Sequence, residues 1–217
     1  MAEITLYTAP NSYAMTVHAI LEESGRPYGV KWVEIFTDAP DPEFVAVSPH
    51  ARVPALVHGE TRLCETGAIA VYLAECFPEL ELLISPGDLR RGSFLQWLHY
   101  LASTLQPDVM VQFHPENYFT QPDMQQQFMS ASMHRLEKVL LTLNDALRVG
   151  PYFLGETRTV LDYLLVMQAV WPEIYPRHID EYPNIRRLVD IITARDAVKR
   201  VVSLHESRTN KHIWPLS

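Results

Sequence analysis

Four short runs of strand character lie near the start of the chain, one of them with strict alternation, and from residue 88 onward only helical spacing remains. Glu3 to Tyr7 has strand character and ends at Ala9-Pro10-Asn11. Val30 to Ile35 sets Val30, Trp32 and Glu34 against Lys31, Val33 and Ile35 and predicts a second strand. Between them Met15, Ala19 and Ile20, with His18 beside them, mark the inner side of a helix from about Ser12 to Ser24 that stops at Gly25. Asp41 to Val47 predicts a helical turn. Pro54 to His58 and Thr61 to Cys64 flank Gly59-Glu60, which predicts a tight hairpin. Pro54 has no N–H to donate, so a central strand starts no earlier than Pro54 itself. A helix follows, with Thr66 as N-cap and Ile69, Tyr72, Leu73 and Phe77 inward.

The order βαβαββα is a thioredoxin-like arrangement, a mixed four-stranded sheet with helices on both faces. Phe77-Pro78 closes this first domain, residues 1–77, and 78–87, with Pro86-Gly87, predicts a linker. Strand signals vanish in 88–217, which predicts an all-helical domain, so the fold class is α/β plus all-α. Phe94, Leu98, Leu101 and Leu105 lie at helical spacing before Pro107, which should kink or break that helix. Gln121-Pro122-Asp123 opens the next, whose Met129, Met133, Leu136, Leu140, Leu143 and Leu147 form a packing seam. Thr159 and Asp162 have the spacing of a capping box, with Asp in place of Glu or Gln. Two last helices occupy roughly 184–194 and 196–205, and Trp214-Pro215 lies in a tail that either folds over a groove or stays loose.

Charge narrows the partners. Residues 1–84 hold four Lys/Arg against twelve Asp/Glu, whereas 85–217 hold fourteen of each. An acidic first domain lacks the basic stripe that phosphate backbones require, which argues against nucleic acid. No apolar run is long enough for a membrane span, and no basic-plus-apolar leader opens the chain, so the expectation is a cytoplasmic protein. Cys64 and Cys76 read as ordinary thiols, and the nine histidines show no ligand spacing, so no metal site is expected.

Two places carry candidate chemistry. X-Pro is the bond at which a cis peptide is cheap; a cis Val53-Pro54 bond would turn the N–H and C=O of Val53 toward an extended peptide at a strand end. Glu65-Thr66 sets a carboxylate and a hydroxyl beside the unsatisfied N–H groups of a helix start, where one amino acid could be held by its ammonium and its carboxylate. At Pro10-Asn11-Ser12-Tyr13, a side-chain donor at the start of the first helix would favour a thiolate through a hydrogen bond and the helix dipole.

Val53-Pro54-Ala55-Leu56, Glu65-Thr66 and Ala68-Ile69-Ala70-Val71-Tyr72-Leu73 together resemble the glutathione-binding half of the cytosolic glutathione transferase superfamily. There Val/Ile-Pro-Ala/Ile-Leu opens a strand and Glu/Gln-Ser precedes A-I-x-x-Y-L. Thr66 departs from the usual Ser but keeps its hydroxyl, and the Thr159–Asp162 box extends the likeness beyond the linker. The resemblance implies a transferase that activates the thiol of glutathione for attack on a small hydrophobic electrophile. The same-fold alternatives are a glutathione-dependent peroxidase, reductase or isomerase, and the alternative of another kind is a non-catalytic binding module. It further implies glutathione as co-substrate and a homodimer of bacterial type, with theta-, beta- and nu-like classes open. Glutathione would be held by Arg52, Val53, Pro54, Glu65 and Thr66. The sulfur would face Ser12, which falls on the serine of theta- and delta-like members, or Tyr13, which falls on the cysteine of the beta class, or Asn11. The electrophile would lie between domains against Tyr100, Met110, Phe113, His114 and Tyr118.

Overall fold

The structure, a computed structural model, describes residues 3–171 and 174–209; Trp214-Pro215 therefore lies outside the described residues. Two compact units divide the chain. One runs up to Leu83 and resumes at Thr193, and the other is Ile84–Ile192.

In the first unit, β1 (Ile4–Thr8), β2 (Gly29–Trp32), β3 (Ala55–His58) and β4 (Thr61–Cys64) form one sheet in the order β2-β1-β3-β4. The β1–β2 pair is parallel, and the β1–β3 and β3–β4 pairs are antiparallel. Alternation along β1 divides the core between the two faces of the sheet. Leu6 and its register partner Leu56 are fully buried on one face, which α1 (Met15–Ser24) and α3 (Thr66–Cys76) cover. Tyr7 and Ala55 point the other way and form a cluster with Val47 and with Phe44 of α2 (Pro42–Val45). The Tyr7 and Phe44 rings stack at 5.7 Å, and the Tyr7 hydroxyl donates to Glu43 at 3.0 Å. Burial, and the Glu43 carboxylate it bonds, push the Tyr7 hydroxyl above its ordinary pKa.

β2 is shorter than the alternation from Val30 to Ile35 suggests. Its ladder runs out where β1 does, at the Thr8–Trp32 pair, and Val33 N–H gives the last bond to Thr8 C=O at 2.9 Å. α1 ends at Gly25, whose φ of 61° is the left-handed conformation that favours glycine.

The division at residue 77 needs an amendment at the far end of the chain. Helix α9 (Asp196–Glu206), which the pattern groups with the helical domain, packs on α1 in the first unit. Its apolar positions Ala197, Val198 and Val201 are buried, Arg195 pairs with Glu23, and Arg200 Nε meets Glu22 Oε2 at 2.9 Å.

The second unit is helical: α4 (Arg91–Tyr100), α5 (Gln106–Phe113), α6 (Pro122–Ala146), α7 (Val160–Ala169) and α8 (Pro183–Thr193). Every residue of α7 is buried, as for a helix with neighbours on all sides. Pro107 does not end the α4 pattern. A π-helical turn, Leu101–Leu105, joins α4 to α5, with Gln106 N–H bonded to Leu101 C=O. Widening the turn accommodates a ring that would otherwise clash with the carbonyl four residues back and leave it without a donor. On α6 the seam is buried at Leu136, Leu140 and Leu143 and, just beyond the helix, at Leu147; Met129 and Met133 are only half-buried.

The capping box is present. Thr159 Oγ accepts from Leu161 N–H, and Asp162 accepts from Thr159 N–H at 2.7 Å and from Phe153 N–H at 3.0 Å. Burial pushes the Asp162 carboxyl up to about 7, against the pull of these donors. Gly150 permits the close approach that this turn needs, because a Cβ there would lie 2.7 Å from the backbone of Gly155.

Candidate functional site

Strand register assembles the candidate site at one edge of the sheet. Tyr7 is opposite Ala55, and Ala55 is opposite Cys64. The loop after β1, the residues just before β3 and the residues just after β4 therefore leave the sheet side by side. These are Pro10 to Ala14, Arg52 to Pro54, and Glu65 with Thr66.

The Val53-Pro54 bond is cis. Ladder pairing starts at Ala55, so Val53 lies beyond the paired strand, and Pro54 is buried under it. Arg52 is exposed, and its main chain is tied to Ser48, a residue the sequence reading did not single out. Ser48 Oγ donates to Arg52 C=O at 2.8 Å and accepts from Arg52 N–H at 3.1 Å. The only signal in the sequence was a hydroxyl residue four positions before Arg52, which is common in turns that do nothing else.

Glu65, and not Thr66, occupies the N-cap of α3, and Thr66 is the first helical residue. The displacement follows from the backbone. Glu65 has φ 74° and ψ 111°, so the chain makes its turn one residue earlier than expected. Such a conformation costs a non-glycine residue about 1–3 kcal/mol and is concentrated at ligand-binding positions. No side chain caps α3, its first turn carries no acidic residue, and Glu65 is exposed. The positive end of the helix is thus left for an anion, with the Glu65 carboxylate beside it for a cation.

Of the three candidates to face a sulfur, Asn11 is exposed with φ 48°, and Ser12 and Tyr13 are half-buried. α1 begins at Met15, later than the pattern suggested, because Ser12 C=O and Tyr13 C=O accept from Met15 N–H and Thr16 N–H in a tight lead-in turn. Ser12 is accordingly not the N-cap. Its hydroxyl donates to Ala9 C=O at 2.7 Å.

The five candidates for an electrophile site all belong to the helical unit. Tyr100 ends α4 with its ring edge-on to Trp97 at 5.3 Å. Met110 and Phe113 are on α5, Phe113 is edge-on to Trp171 at 5.3 Å, and His114 follows at the C-cap. Tyr118 is half-exposed and lies against Phe128 of α6 at 5.2 Å. Phe113 and His114 also lie ring to ring at 6.3 Å, while the other ring contacts engage Trp97, Trp171 and Phe128. Among the described residues no three His, Cys, Asp or Glu side chains are grouped to hold a metal ion, and no helix is long and apolar enough to cross a membrane.

A thioredoxin-like unit with an uncapped helix start beside a cis-proline strand end, followed in the chain by a helical unit, has counterparts among known proteins. Residues 2–75 match the model of the glutathione S-transferase N-terminal domain. Glutathione S-transferase GstA of Escherichia coli O157:H7 is 25% identical over 201 residues, spanning 91% of this chain and 96% of its own. A glutathione S-transferase domain-containing protein of Dictyostelium discoideum is 29% identical, spanning 88% of this chain and 77% of its own. Among solved structures, a glutathione transferase homologue from Sulfitobacter with bound glutathione superposes with a TM-score of 0.84 at 25% identity, over 94% of this chain and 99% of that one. The bacterial transferase BphK shares the fold at a TM-score of 0.82 and 22% identity, over 93% of this chain and 98% of that one. Over residues 2–75 the chain is thus similar to the N-terminal domain of glutathione S-transferases, and over most of its length to proteins of that name.

Proposed function

We propose that the protein binds glutathione at this sheet edge and activates its thiol for attack on a small hydrophobic electrophile. The observation that carries the reading is the α3 start, where an uncapped helix N-terminus and an exposed carboxylate stand side by side next to the end of β3. The γ-glutamyl end of the tripeptide supplies an ammonium for Glu65 and a carboxylate for Thr66 and the helix N–H groups. Val53 meets the cysteinyl backbone, and Arg52 meets the glycine carboxylate. A relative of similar architecture with bound glutathione supports the assignment.

The chemical requirement is modest. An unperturbed thiol is ionised to a few per cent at neutral pH. Lowering its pKa by about two units takes roughly 2.7 kcal/mol of thiolate stabilisation, within reach of one donor assisted by the α1 dipole. Neither Ser12 nor Tyr13 is cysteine, which disfavours chemistry through a mixed disulfide with the protein. The electrophile would be lined by residues of the helical unit, from Tyr100, Met110, Phe113, His114 and Tyr118. The active form in this reading is a cytoplasmic homodimer.

The competing reading is a binding module without turnover, and one observation favours it. The Ser12 proton is already engaged by Ala9 C=O, so Ser12 activates a thiol only by turning away from that carbonyl. Titration calorimetry with glutathione tests binding first. Glu65→Ala should weaken it by roughly 10- to 150-fold, the equivalent of about 1.5–3 kcal/mol for a charge-assisted hydrogen bond. The melting temperature should hardly move. Equal affinities in the two proteins would remove Glu65 from the site. An aryl-halide and hydroperoxide assay panel then separates transferase from peroxidase and from module.

A further inference from the structure

We propose that Ser48 is the positioning residue that aims the Val53 N–H at the glutathione backbone, an inference that rests on the site reading above. Ser48 is 2% exposed, and its hydroxyl holds both polar groups of Arg52, donating to the C=O and accepting from the N–H. Arg52 C=O belongs to the same peptide unit as Val53 N–H. That unit is trans, because the cis bond is the next one, Val53-Pro54. In a planar trans peptide the C=O and N–H point in opposite directions. A carbonyl drawn inward by the buried Ser48 therefore turns the Val53 N–H outward, past the end of the β3 ladder.

The surrounding chain leaves this peptide plane dependent on Ser48. Ala51 has φ 49°, an uncommon conformation for alanine. The β1–β3 ladder starts only at Ala55, so no strand partner orients the Arg52–Val53 peptide. The side chain of Arg52 is exposed. Ser48 itself is anchored by its own N–H, bonded to Phe44 C=O at 2.8 Å, and by its C=O, bonded to Ala51 N–H at 2.8 Å. A hydroxyl is one of the few side-chain groups that can donate and accept at a single atom, as this arrangement requires. Alanine at 48 would leave both Arg52 groups without their partner and the peptide free to rotate.

The test separates orientation from binding. In ligand-free full-length protein, the residual dipolar coupling of the Val53 N–H reports its direction. Ser48→Ala should change that coupling while couplings in β1 and α3 stay put, and Ser48→Thr, which keeps the hydroxyl, should restore it. By calorimetry Ser48→Ala should weaken glutathione binding about tenfold, and Ser48→Thr should recover most of the loss. At saturating glutathione the Val53 amide should lose its ligand-induced slowing of hydrogen exchange in Ser48→Ala but keep it in Glu65→Ala. A merely structural serine would not produce that split. If Ser48→Ala does not fold, Ser48→Cys serves, since its weaker hydrogen bonding should give a several-fold loss. An unchanged Val53 coupling, or wild-type affinity in the Ala or Cys variant, would overturn the proposal. If the wild type shows the Ser48-dependent coupling but binds no glutathione, the ligand assignment fails and the orienting role of Ser48 stands.

Discussion

Two hydroxyls one residue apart, Ser12 and Tyr13, divide the question of turnover between them. In the proposed site the peptide ligand is held elsewhere, by Val53, Glu65 and Thr66, so a donor to the sulfur should act on the thiolate and barely on affinity. Ser12→Ala should raise the pKa of bound glutathione if Ser12 releases Ala9 to reach the sulfur, and Tyr13→Phe is the matched control that keeps the ring. Activity near pH 7 should fall about tenfold for each pKa unit gained and recover as pH rises, provided chemistry limits the rate. Thiolate absorbance titrated from pH 5 to 9 in both variants reads the outcome. If neither curve moves, Asn11 or main-chain N–H groups are left as donors. At this scale the sequence showed the residue types but not their engagements. Nothing in Pro10-Asn11-Ser12-Tyr13 announces that the serine proton is taken by Ala9, or that the chain needs a lead-in turn before α1 can start.

Among the elements, α7 depends most on a single side chain. Asp162 satisfies two buried main-chain N–H groups, one within its own capping box and one in the preceding turn at Phe153. Removing it strands both, at about 1–3 kcal/mol each. Asp162→Ala should therefore cost about 2–6 kcal/mol in urea unfolding; a loss below about 1 kcal/mol would show that other acceptors or water replace it. Local signals of this kind were legible in advance. The hairpin, the cis proline and the capping box are each written within a few residues, and the α6 seam in its buried part from Leu136 to Leu147. The π turn was not legible. Pro107 announces a disturbance of the α4 helix, but whether a helix breaks, kinks or widens depends on what packs against it. The N-cap of α3 escaped for a similar reason, since Thr66 is a good cap by type and the unusual φ of Glu65 cannot be read from its identity.

At the scale of the molecule, the connection that sequence patterning missed is the one between α1 and α9. His18 and His205, both fully buried, meet with Nδ1 and Nε2 3.0 Å apart, and the Trp32 ring lies 4.8 Å from that of His205. The charged groups around them are the Glu22–Arg200 and Glu23–Arg195 pairs, with the Tyr28 hydroxyl on Glu22 and Arg208 over Trp32. This also qualifies the acidic balance of residues 1–84, because arginines from the far end of the chain partly neutralise it. Burial holds His18 down at about 4, with Glu22 opposing, and holds His205 down at about 3, with His18 adding to the effect. Both folded values lie below the unfolded value near 6.5, so the stability contributed is complete above pH 6.5 and is lost as pH falls toward 4. The loss should approach about 1.4 kcal/mol per pH unit for each imidazole that takes up a proton on unfolding. The Glu22 carboxyl, lowered by Tyr28 and Arg200 against its own burial, releases its share only below its ordinary range. Asp162 runs the other way, its raised carboxyl favouring the folded state as pH falls through 7. The difference between wild type and His18→Leu/His205→Phe isolates the pair. From pH 7 to 5.5 and 4.5 the wild-type urea midpoint should fall relative to that of the double variant, and a constant difference would refute the assignment.

The same pair imposes an order on biosynthesis. His18 leaves the ribosome 187 residues ahead of His205. At about 5–20 residues per second, the interval is roughly 10–40 s. During that time the nascent sheet can form its hairpin and its parallel pair, yet the side of α1 destined for α9 stays uncovered. The sheet-bearing unit is translated ahead of the helical unit and is completed only after it.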